Sequence, residues 1–69
     1  MNLPKDRGDW TPKHATRALQ ARDRAWKRYE EYRGTSQDEA TELFGLYQNA
    51  EALAADVCTV TNVTHEPIV

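Results

Sequence analysis

The sequence predicts an all-α fold: an antiparallel hairpin of two helices, about 12–33 and 37–57, between an extended N-terminal arm and an extended C-terminal tail. Three observations predict it. Apolar residues recur at alternating three- and four-residue steps through both segments, the period of one helix face. Start and stop signals stand at the ends of each run. The two runs also carry opposite charge, which favours pairing them with each other.

Residues 1–10 contain Pro4 and Gly8 and no apolar period, so they read as the extended arm. Thr11-Pro12 reads as a helix start: threonine offers an N-cap oxygen, and proline suits the first helical position, where an N–H has no partner to lose. Nothing from Pro12 to Arg33 breaks a helix, and Gly34 stands where a left-handed residue would end it. Within this run Ala15, Ala18, Arg22, Ala25, Tyr29 and Tyr32 form one stripe, flanked by Leu19 and Trp26. Ser36-Gln37-Asp38-Glu39 then has the pattern of a capping box, in which Ser36 and Glu39 satisfy each other's backbone N–H groups. The second stripe is Ala40, Leu43, Tyr47, Ala50, Ala54 and Val57, widened by Phe44, Leu46 and Leu53.

Near-equal helix lengths and a short connection favour an antiparallel hairpin over residues 11–57. In that register Trp26 is expected near Phe44 and Gly45, with glycine admitting the indole close to the backbone. Arg22 is expected to lay its stem on the seam and send its guanidinium to Glu51. Residues 58–69 form the tail. The β-branched run Val57 to Thr64 favours an extended chain, able to add to the edge of a partner's sheet.

Charge is divided between the elements. The first helix carries seven cations and three carboxylates; the second carries five carboxylates and neither lysine nor arginine; the chain as a whole is at −2. Most site chemistry is missing. Cys58 is the lone cysteine, which rules out an intrachain disulfide and a cysteine-based zinc site. His14 and His65 lie at opposite ends, and the three glycines are isolated, so neither a metal-ligand spacing nor a phosphate-cradling loop is present. No apolar run is long enough to span a bilayer, and no secretory leader is evident. The expectation is a cytoplasmic chain, or one within an intracellularly assembled particle. No catalytic, cofactor or metal residue is expected, nor a membrane or small-molecule partner.

Val, Leu, Ile and Phe number only eleven of 69, and five of those lie in the two ends. A chain this size with so thin an apolar supply commonly completes its core on another surface. The function expected is therefore a non-enzymatic interaction or assembly protein, an accessory or structural subunit that binds a protein partner or itself. Trp26, Tyr29, Tyr32, Phe44, Leu46, Leu53, Val60, Val63, Ile68 and Val69 are the candidate contacts. Minor components of phage particles share this kind of build, a likeness of architecture alone. The alternative is a small dimeric nucleic-acid-binding regulator that sets Arg17, Arg24, Lys27 and Arg28 against phosphates. Against it, the chain lacks the basic excess that usually marks such proteins.

Overall fold

The computed structural model describes residues 3–68, and its element order is a 3-10 turn at Arg7–Asp9 followed by helices α1 (Pro12–Tyr32) and α2 (Gln37–Thr61). The helices pack along their length as a hairpin. No strand occurs among the described residues.

Helix α1 begins as the Thr11-Pro12 pair implies, with Thr11 in an extended conformation and proline in the first turn. Thr11 is the N-cap, and with His14 it forms a capping box. The third residue of the helix, His14, turns its Nδ1 back to accept the Thr11 N–H at 2.9 Å. At the other end Arg33 stays right-handed and Gly34 has no positive φ. The chain turns instead because the Thr35 and Ser36 N–H groups both bond to the Tyr32 carbonyl at 2.9 Å. Ser36 then caps α2, its Oγ accepting from the Glu39 N–H at 3.5 Å, with Asp38 and Glu39 in the first turn where the helix dipole favours carboxylates.

Alanine makes the seam. Ala15 and Ala18 of α1 meet Ala54, Val57 and Cys58 of α2 in a single buried cluster, and small side chains there let the helix backbones approach. Tyr47 and Ala40 extend the buried line toward the turn. Leu3 and Trp10 from the N-terminal arm, Val63 from the tail and Leu19 of α1 pack against this cluster.

Both arms depart from the extended form expected of them. In the N-terminal one, the Arg7–Asp9 turn is capped by Asp6, the Trp10 indole N–H donates to the Pro4 carbonyl at 3.0 Å, and Arg7 pairs with Asp56 of α2. At the C-terminus α2 runs on to Thr61, so Cys58, Thr59, Val60 and Thr61 are helical rather than extended. Buried contacts at Val57 and Cys58 outweigh the modest β preference of this stretch. Asn62 ends the helix in the left-handed region at φ 59°, and the Val63 N–H bonds back to the Cys58 carbonyl at 3.0 Å. That bond, with Val63 against the core, is the usual left-handed helix ending. Residues 63–68 carry no regular structure and fold back on the hairpin; Val69, a candidate contact, lies outside the described residues.

Candidate interaction surface

Two residues along an α-helix are 200° apart, so neighbours of that spacing leave on nearly opposite sides. Arg22 and Trp26 of α1 therefore face one broad side of the hairpin, and Arg24 and Arg28 the other. On α2 the same division separates Phe44 and Glu51 from Leu46 and Leu53.

The first side is occupied by the chain itself. Arg22 is 7% exposed, and its guanidinium organises the site. Nε and Nη2 donate to Asp23 Oδ1 at 3.2 and 3.0 Å, while Nη1 donates to the Glu66 carbonyl at 2.6 Å and lies 3.5 Å from Glu51 Oε2. His65 Nε2 sits 2.8 Å from Glu51 Oε1, although the approach is not aligned as a hydrogen bond. One buried cation thus ties the tail to both helices. Nearer the turn, Trp26 stacks obliquely on Tyr47 and Tyr29 at 4.9 and 5.4 Å, and Phe44 meets Tyr29 at 5.1 Å. The indole therefore pairs one helical turn away from the expected Phe44–Gly45 position. A side chain on Gly45 would meet nothing within 4 Å, so the glycine does not admit it.

The second side is bare apart from Arg7 of the N-terminal arm, which reaches Asp56, one helical turn from Leu53 and Val60. Leu46 is 58% exposed, and Leu53 and Val60 are each 37% exposed. They lie seven residues apart, a stripe along one face of α2 that drifts only about 20° per step. Beside Leu46, a shallow groove of about 170 Å³ is floored by Ala21 and Ala25 of α1 and edged by Arg24, Arg28, Leu43 and Leu46. It continues toward the turn between Arg28, Tyr32, Glu39, Glu42 and Leu43, and the other way past Arg17, Gln20, Ala21 and Arg24.

The expected contact residues thus fall into two groups. Trp26, Tyr29 and Phe44 form the aromatic cluster on the clamped side, where Phe44 alone keeps a large exposed area. Leu46, Leu53, Val60 and Tyr32 lie on the bare side. Val63 is part of the closure of the core, and Ile68 is half-buried. Of the basic residues, Arg17 and Arg28 border the bare groove, Arg24 borders both it and the outer face of α1, and Lys27 lies on that outer face with Gln20 and Asp23. Sequence reasoning missed Leu43, Ala21, Ala25 and Glu42 as parts of this surface. The seven-residue spacing from Leu46 through Leu53 to Val60 was the signal, and it is obscured if Val60 is placed in an extended tail.

Cys58 is 2% exposed, and burial pushes its thiol above its ordinary value; Arg22 pulls it down and Glu51 adds to the rise. A thiol held protonated is a poor nucleophile. Among the described residues no group of three or more His, Cys, Asp and Glu side chains is placed to hold a metal ion, and no helix is long and apolar enough to cross a membrane. Comparison with protein-family models, curated proteins and solved structures finds no match.

Proposed function

We propose that this chain is a non-enzymatic interaction module, an accessory or structural subunit that acts by binding a protein surface in the cytoplasm or in a particle assembled there. One observation carries the reading. The largest side chains that are fully buried are Val57 and Cys58, while Phe44, Leu46, Leu53 and Val60 remain exposed. A hairpin that keeps alanine inside and leucine outside presents apolar surface that a partner can cover. Isolation of the tagged chain from its producing cell tests it. A stoichiometric protein partner, identical or different, should be retained by the wild type and lost from Leu46→Glu/Leu53→Glu. A chain that remains an unaccompanied monomer in both forms overturns the reading.

A second reading, a nucleic-acid-binding regulator, is favoured by the common flank of Arg17, Arg24 and Arg28. Duplex binding that weakens steeply between about 50 and 200 mM salt would support it, and no binding at the lower salt would end it.

A further inference from the structure

The bare side of the hairpin is ordered by charge as well as by hydrophobicity. Across it run the arginine flank of α1 (Arg17, Arg24, Arg28), the alanine floor, the stripe Leu46–Leu53–Val60, and Glu42 on the outer flank of that stripe. Among the described residues, Arg17, Arg24, Arg28 and Glu42 make no ion pair. The face is thus basic at one edge, apolar in the middle and acidic at the other.

Such a face is complementary to itself in one orientation. A twofold axis running across the helices would set α1 on α1 and bring arginine against arginine. An axis parallel to the helices sets α1 of each copy on α2 of the other. The arginine flank then meets the carboxylate flank, and each leucine stripe lies over the partner's alanine floor. In this second arrangement residues at equal height along the axes face each other. Arg28 and Glu42 already border one groove within the chain, so they share a height. The opposite broad side, held by the tail through Arg22 and Glu66, is not free in the same way.

We propose that a second copy of this chain docks on the bare side, related by a twofold axis parallel to the helices, to form a four-helix bundle. Leu46, Leu53 and Val60 supply its apolar centre, and Arg28 of each copy pairs with Glu42 of the other. This rests on reading the chain as an assembly module, and it names the partner.

Light scattering on the full chain after size-exclusion, at about 100 µM, should give the mass of two chains, a concentration that populates even modest dimers. Leu53→Glu should raise the dissociation constant roughly a hundredfold or more, since two carboxylates would be desolvated, with helicity by circular dichroism retained. Arg28→Glu and Glu42→Arg should each weaken the dimer about tenfold, because every substitution falls twice at a twofold interface. Combined in one chain, they should restore the wild-type constant to within about threefold. Three results overturn the proposal: a monomeric wild type at this concentration, a dimer indifferent to Leu53→Glu, or a dimer that tightens on Arg28→Glu. A monomeric wild type that still binds a different protein, and loses it on Leu53→Glu, overturns the twofold dimer while leaving the assembly reading intact.

Discussion

Replacing Arg22 with methionine removes the guanidinium but keeps an apolar stem on the seam. The bond to the Glu66 carbonyl, at 2.6 Å, comes from a charged donor in a mostly buried setting, and such a bond is worth about 1.5–3 kcal/mol. The Glu51 contact adds less, because that carboxylate is 23% exposed and 3.5 Å away; about 0.5 kcal/mol is reasonable for a screened pair. Asp23 is 55% exposed and returns to water at little cost. The sum is a loss of about 2–3.5 kcal/mol, which for a domain of this size lowers the thermal midpoint by roughly 8–28 °C. Urea denaturation followed by circular dichroism, at one protein concentration throughout, measures it. The decisive comparison is a double-mutant cycle with deletion of residues 64–69. If Arg22 holds the tail, the deletion costs little once Arg22 is gone, and the coupling is at least about 1 kcal/mol. Losses that add within about 0.5 kcal/mol would refute the clamp.

Gly45→Ala should stabilise the chain by about 0.5–1 kcal/mol, since the new methyl meets nothing and a mid-helix glycine costs that much; a lower thermal midpoint would contradict the packing described. Trp26→Ala should cost about 2–3 kcal/mol in the same denaturation assay, below the usual range for a fully buried tryptophan, because the indole is only half-buried against Tyr47 and Tyr29. Cys58 has a raised folded-state value, so its contribution to stability is complete below the unfolded thiol's pKa and is lost as pH rises through the folded one. Denaturation midpoints should therefore fall above about pH 9 more steeply in the wild type than in Cys58→Ala. A truncation before Cys58 should lose helicity and cooperativity, whereas one after Val63 should remove only the clamp; equal effects by circular dichroism would count against the helical ending at Asn62.

The hairpin was legible because its signals are local or periodic: Thr11-Pro12 and Ser36 at the starts, and alanine and tyrosine at helical steps between them. Arg22 was legible too, since an arginine on an apolar stripe opposite a carboxylate has few other places to go. The end of α2 was hidden. Val57 to Thr61 has the composition of a strand, and the burial of Val57 and Cys58 against α1 and the two arms, a tertiary contact, favours the helix. Asn62 was the readable stop, being the residue besides glycine that most readily takes the left-handed ending. The N-terminal arm was opaque for a similar reason. Its turn depends on Asp6 capping a neighbour and on Arg7 reaching Asp56, far away in sequence.

The distribution of carboxylates on α2 bears on what the bare side is for. Asp38 and Glu39 sit in the first turn, where the helix dipole accounts for them. Glu51 is turned inward to Arg22 and His65, and Asp56 is held by Arg7. Glu42 is the one left with no such role, and it stands beside Leu46 on the same side as Arg24 and Arg28. Solubility alone would not put three arginines along one edge of an exposed leucine stripe and a lone carboxylate along the other, because interspersed charges serve that purpose better. Segregated edges around an apolar centre set the orientation of a partner. The pairing of Arg28 with Glu42 across two chains is therefore the sharper test, since a merely greasy surface would associate but would not distinguish a charge reversal from its compensated double.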